Sequence, residues 1–266
     1  MLTYERISGV VSLTLIGLAL YFVLNFPVQV TSFMLLGSPL TIDSPQRWLM
    51  ALLLGVLAMA GADTVIRTHP SLSSRKLGYL ATFWVLPGLL VILATQTLGL
   101  APSPLAWAGG LVIVGLLLWL TILTEFRQVT PAGSSLWSRL WQQFIGYAIA
   151  LLFFIVIYQS RSRSLISATT IMLVGSMVAL SLLRSTPEQI SKTWLFAAII
   201  GLSLGQVTWA LNYWRTGTLN AGLLIFLVFY VLVGVAQQQL LGTLTRRTLA
   251  EFGAISAIAL AVILNL

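Results

Sequence analysis

Three groups of residues in this chain have types and spacings that could do chemistry. The first is Gly201-Leu-Ser203-Leu-Gly205, which spells Gly-x-Ser-x-Gly. That pattern marks a nucleophile only where the serine sits on a strained strand-to-helix turn. Here it lies inside a long apolar run, so packing through the two glycines is the competing reading. A serine nucleophile also needs a base, and the single histidine, His69, lies in a different segment.

The second group is Asp63, Arg67 and His69, with Glu125 further along. Asp63 and Arg67 stand i, i+4 and can pair on one helical turn. Pro70 then ends that helix. Together with Glu125 these residues can form a polar rim for a phosphate or lipid head group, or simply an exposed pair at the membrane surface. The third group is Ser203, Gln206, Trp209, Tyr213, Tyr230 and Gln237, all within two neighbouring apolar runs. They can line a pocket for a lipid-like or small neutral molecule, or serve as interhelical glue.

The elements that must position these groups follow from composition. The 266 residues are 58% hydrophobic and 8% charged, and the mean hydropathy is +0.99. A soluble domain carries about 25% charged residues, so this chain is membrane-embedded. Nine apolar runs are long enough to cross a bilayer, at ~20 residues each. We draw them as Ile7–Phe26, Trp48–Ile66, Leu77–Leu98, Leu105–Thr124, Leu140–Tyr158, Leu165–Leu183, Trp194–Tyr213, Leu219–Leu241 and Leu249–Leu266. The last is short, which leaves eight crossings as the alternative. Lipid cannot satisfy backbone amides, so each run must be helical. The expected fold is all-α: a single polytopic helix bundle over residues 1–266, with no room for a soluble domain.

Orientation comes from the basic residues. With the N-terminus cytoplasmic, ten Lys and Arg fall inside: Arg6, Arg67, Arg75, Lys76, Arg127, Arg139, Arg184, Lys192, Arg246 and Arg247. Four fall outside: Arg47, Arg161, Arg163 and Arg215. The excess on the inner side orients the chain. The net charge of +8 is scattered over the loops with no basic tract, so it points to lipid head groups and not to nucleic acid. The expected location is the bacterial cytoplasmic membrane.

There is no cysteine, which excludes disulfides, thiol catalysis and thiolate metal sites. One histidine excludes a His-rich metal cage. No cofactor fingerprint occurs. Of the six acids none lies at mid-membrane, where a carboxylate would mark ion coupling.

Two further stretches carry expectations. Residues 27–46, outside in this topology, place apolar residues around Gly37-Ser38-Pro39 and read as a hairpin or cap on the membrane surface, a short re-entrant segment, or an ordered loop. The third run holds Pro87-Gly88, with Thr82 and Trp84 one turn earlier, which kinks the span for a hinge, a cavity or packing. Most tryptophans lie near run ends, as interfacial rings do. Trp84 and Trp209 lie deeper and are expected in buried packing or a cavity wall.

A helical wheel divides the seventh run into three faces. Gly201, Gly205 and Asn212 form one; Gln206, Trp209 and Tyr213 form another, with Ser203 at its margin. Ile200, Leu204, Val207 and Leu211 form a wholly apolar third. Two faces unlike lipid place this run inside the bundle. On the eighth run, Tyr230, Gly234 and Gln237 share a stripe, so Gln206 and Tyr230 are expected to face each other or one cavity.

Trp209-Ala-Leu-Asn-Tyr-Trp214, the Gly222–Gly234 run with Tyr230, and Leu244-Thr-Arg-Arg-Thr-Leu-Ala-Glu-Phe252 resemble the C-terminal part of an uncharacterised bacterial multi-span membrane family of unknown function. The resemblance covers the last quarter and implies an integral membrane protein, with no catalytic residues carried over. Three functions follow as expectations. The first is a non-enzymatic membrane subunit or helper that packs against lipids, a membrane-protein partner or a second copy. The second is a carrier or binder of a lipid-like or small neutral molecule. The third is an inner-face enzyme acting on lipid phosphates.

Overall fold

The computed structural model describes residues 2–24, 30–35, 38–43, 45–69, 77–129, 136–160, 164–184, 189–214 and 217–265. Among these residues the chain forms nine long helices and one two-stranded hairpin. The helices are α1 (Leu2–Val23), α2 (Pro45–Ile66), α3 (Leu77–Leu98), α4 (Pro104–Arg127), α5 (Leu136–Gln159), α6 (Ser164–Leu182), α7 (Ile190–Asn212), α8 (Thr218–Leu240) and α9 (Arg246–Leu264). At 1.5 Å per residue, the 19 residues of α9 and the 24 of α4 span about 28 and 36 Å. Both lengths match a hydrocarbon core ~30 Å thick. The all-helical polytopic bundle read from composition is therefore the fold observed, and the ninth run is a full-length helix.

Local chemistry sets the helix ends. The Ser103 side chain accepts from Ala106 N ahead of Pro104 at the first turn of α4. Helix α8 stops at Gly242, whose φ of 70° is the left-handed conformation glycine adopts freely. The chain then re-enters a helix at Thr245, whose hydroxyl accepts from Thr248 N at 3.2 Å.

Between α1 and α2, β1 (Val30–Leu35) pairs antiparallel with β2 (Ser38–Asp43), with Phe33 opposite Leu40 and Val30 opposite Asp43. Both strands fall within residues 27–46, the stretch read from the sequence as a hairpin, a cap, a re-entrant segment or an ordered loop. Ser38 and Pro39 open the second strand; Gly37 lies outside the described residues.

The chain divides into two compact units. One comprises Met1–Ser73 and Pro87–Ser134, the other Ser74–Leu86 and Ser135–Leu266. Helix α3 contributes its first ten residues to the second unit and, from Pro87 onward, the remainder to the first.

Within both units large side chains seat against glycines. In the first, the Gly17 position faces Leu54, Gly115 faces Leu15, and Gly55 approaches the Gly88 carbonyl, 3.3 Å from where a Cβ would stand. Gly88 in turn receives Met59. The Pro87-Gly88 pair thus serves the packing of α2 on α3. In the second unit, α6 and α7 form the most extensive helix pair. The reason is physical: lipid offers no hydrophobic gain for helix contact, so close backbone approach and dispersion must hold the helices together.

Candidate functional site

The second unit contains the polar side chains singled out on α7 and α8. Gly201 faces Met172 O and Ser176 of α6, and Gly205 faces Met172 Cβ and Ala168 O. Asn212 Nδ2 donates to Ser167 Oγ at 3.1 Å. This face of α7 is the packing face that its small residues predict. Ser203 donates its hydroxyl to Ile199 O at 2.9 Å within its own helix, on regular helical backbone. The strained turn that a serine nucleophile requires is not built there.

The other two faces of α7 are exchanged relative to expectation. Ile200, Leu204 and Leu211 are buried, whereas Gln206, Trp209 and Tyr213 point outward. Trp209 is 44% exposed and Tyr213 76%. Trp84, by contrast, is half-buried on α3. Gln206 and Tyr230 do not face each other: Tyr230 is half-buried on α8, its ring 5.7 Å from Tyr147 of α5 and 6.0 Å from Phe252 of α9. Next to water, the apolar strip would have been the buried one by default. Inside a bilayer both outcomes cost little for apolar side chains, so hydropathy does not choose the buried face. The small-residue face binds α6, and the strip beside it is carried inward with it.

This leaves Gln206 six residues before the end of α7, about 9 Å along the helix at 1.5 Å per residue. Among the described residues its amide has no hydrogen-bond partner. Moving such a group from water to hydrocarbon costs roughly 4–8 kcal/mol without a partner.

Gln237 has a different role. Its Nε2 donates to Leu182 O at 3.1 Å. Gln142 of α5 donates to Ser181 O at 3.0 Å, and Thr193 of α7 lies 3.5 Å from Leu183 O. Three helices thus supply donors to the last carbonyls of α6, which a helix end leaves without intrahelical partners. Beside them Arg184 donates to Thr82 O at 2.7 Å and Thr82 Oγ1 at 3.1 Å, and its guanidinium lies 3.8 Å over the Phe83 ring. Its positive charge also suits the negative end of the α6 dipole. Sequence reasoning counted Arg184 only as an orienting charge and did not single out Gln142. The available signal was a helix end with no glycine cap, flanked by amide side chains.

The aromatic cluster at the middle of this unit brings Tyr147 and Phe154 of α5 against Phe229 of α8, at 6.0 and 5.6 Å. Among the described residues neither the Tyr147 nor the Tyr230 hydroxyl has a hydrogen-bond partner.

In the first unit the predicted rim is partly assembled. Asp63 and Arg67 form an i, i+4 pair, with Arg67 Nε 2.7 Å from both carboxylate oxygens. His69 sets its ring edge-on to Phe126, at 5.3 Å. The neighbouring Glu125 is 1% exposed on α4. The ends of α2 and α4 therefore meet. Asp63 spends its charge on Arg67, and His69 offers Phe126 an aromatic contact.

Among the described residues, nine helices long and apolar enough to cross a bilayer define a multi-pass membrane protein. The chain belongs to the family described as protein of unknown function (DUF5656), whose profile matches residues 26–266. That match extends well beyond the last quarter on which the resemblance in the sequence rests. No curated protein and no solved structure matches the chain.

Proposed function

We propose that this protein is a non-enzymatic membrane component that acts by packing its helices against a partner or lipids. The observation carrying this reading is where the polar groups on α7 and α8 go. Gln237 and Asn212 are used up inside the second unit, while Gln206 is left on its outer surface with an unmet amide. An interior glutamine would fit a protein that binds its guest at the centre; an outward one fits a protein that meets something at its rim. Extraction in mild detergent followed by mass analysis tests this. A stoichiometric companion, protein or lipid, lost on Gln206→Leu with folding intact is the expected result. A companion retained by that variant, or a turnover activity in the purified protein, would overturn it.

A second reading, a binder of lipid-like molecules, is favoured by one observation. The Tyr147 and Tyr230 hydroxyls lack partners at the middle of α5 and α8 and are not among the fully enclosed unpaired atoms. Both are thus open to a hydrogen-bond acceptor on an apolar molecule. Replacing both tyrosines by phenylalanine should then remove a co-purifying lipid and leave unfolding unchanged.

A further inference from the structure

Two side chains at the middle of the second unit make a demand that the chain itself does not meet. At 1.5 Å per residue, Tyr147 lies about 17 and 18 Å from the two ends of α5, and Tyr230 about 18 and 15 Å from those of α8. Their rings stand 5.7 Å apart and 53° from parallel. Phe226 and Phe229 meet Tyr147 edge-on at 6.2 and 6.0 Å. Phe252 of α9 tilts against Tyr230 at 6.0 Å. Three helices thus bring five aromatic rings together with two hydroxyls.

A hydroxyl at this depth needs a partner. Serine and threonine find one on their own helix, as Ser203 and Thr208 do with Ile199 O and Leu204 O. A tyrosine hydroxyl ends a rigid ring and cannot turn back that far, so it needs a group on another element or on a guest. Tyr158 has one: it donates to Leu211 O at 3.0 Å. Among the described residues the Tyr147 and Tyr230 hydroxyls have none, and they do not bond each other. Neither is enclosed, unlike the unpaired indole nitrogens of Trp84, Trp107 and Trp141.

Depth limits what can supply the acceptor. The ester and phosphate oxygens of membrane lipids lie at the edges of a hydrocarbon core ~30 Å thick, about 15 Å from its middle. Acyl chains carry no acceptor at all. We infer that Tyr147 and Tyr230 bind a flat, uncharged, carbonyl-bearing ring on an apolar tail, the chemistry of a quinone. The inference rests on the second reading above and names its ligand class. Such a ring has no charged head group to hold it at the interface, so it reaches the bilayer middle. It brings two acceptors to two donors and no donor of its own that would need a further partner. Its face suits the rings of Phe226 and Phe252, which are half-buried beside the two tyrosines.

The test uses the purified protein in phosphatidylcholine nanodiscs, titrated with a decyl-substituted benzoquinone. Empty discs give the partition blank, and decylbenzene, which lacks the carbonyls, is the competitor. Retained quinone is read by absorbance and its carbonyl stretch by infrared difference spectroscopy. The expected result is a saturable excess of quinone over empty discs, not displaced by decylbenzene, with the stretch moved to lower frequency. Tyr147→Phe and Tyr230→Phe should each weaken binding roughly twofold to twelvefold, as the loss of one neutral hydrogen bond does. The double variant should bind less than either and return the stretch to its position in lipid. All three should unfold like the parent, because the rings remain and the hydroxyls bond no group in the described residues. No saturable excess, or an excess unchanged in the double variant, would overturn the inference. Mass analysis of what co-purifies from native membranes then separates it from the reading beneath it. A head-group lipid lost from the double variant would overturn the quinone and leave the lipid-binder reading standing. If no bound molecule of any kind depends on the two hydroxyls, both fall.

Discussion

Replacing Gly201 by alanine puts the packing account to a quantitative test. A Cβ at this position overlaps Ser176 Oγ and stands 2.5 Å from Met172 O and 3.0 Å from Ser176 Cβ. The Ser176 hydroxyl cannot swing aside freely, because it donates to Met172 O at 2.7 Å. A carbon needs about 3.3–3.6 Å from a carbonyl oxygen, so α7 must retreat from α6 by about 1 Å. A gap of that size forfeits roughly a quarter to a half of the dispersion well for each atom pair it opens. Overpacking of this kind costs about 1–3 kcal/mol. Alanine recovers up to ~1 kcal/mol of helix propensity over glycine, so a net loss of about 1–2 kcal/mol is expected. Gly109→Ala on α4 is the control, since nothing lies within 4 Å of its Cβ position; it should be neutral or stabilising by up to ~1 kcal/mol. Unfolding in mixed micelles with rising dodecyl sulfate, followed by circular dichroism, measures both. Adding Ser176→Ala to Gly201→Ala should restore only part of the loss, because the Met172 carbonyl remains. If Gly201→Ala unfolds where Gly109→Ala does, close approach of α6 and α7 is not what holds this unit together.

Three further outcomes follow from the same structure. Arg184→Ala removes two hydrogen bonds to Thr82 and the stacking on Phe83; it should destabilise by about 2–4 kcal/mol in the same assay, with Arg184→Lys keeping part of that. Gln237→Leu strips Leu182 O of its donor and should cost about 1–2 kcal/mol, whereas Gln206→Leu in monomeric micelles should cost nothing measurable; equal losses would mean that the two glutamines share one role. Cysteines introduced at Gly99 and Thr243 should label from opposite sides of the membrane with an impermeant maleimide, Thr243 from the cytoplasmic side; labelling from one side would refute the alternating topology and the orientation read from the basic residues.

The sequence alone decided the solvent, and from the solvent the architecture. With 8% charged residues, no helix could be left in water. Unsatisfiable amides then forced each apolar run into a helix whose ends lie within a few residues of the observed ones; Leu77–Leu98 is drawn and found with the same bounds. The glycine-and-asparagine face of α7 was equally legible, because small residues are the one compositional mark of helix contact in lipid.

Tertiary structure decided which of the remaining faces of α7 turned inward. Ile200, Leu204 and Leu211 are as acceptable to acyl chains as to neighbouring helices, so hydropathy carried no information on their burial. Their place was fixed by α6 seating against Gly201 and Gly205. That same docking turned Gln206 outward and Gln237 onto the end of α6. It also recruited Arg184 to Thr82, a residue 102 positions away in the chain, which no local pattern could announce. In water, burial follows from residue type; in lipid it follows from fit, and fit exists only once the helices have met.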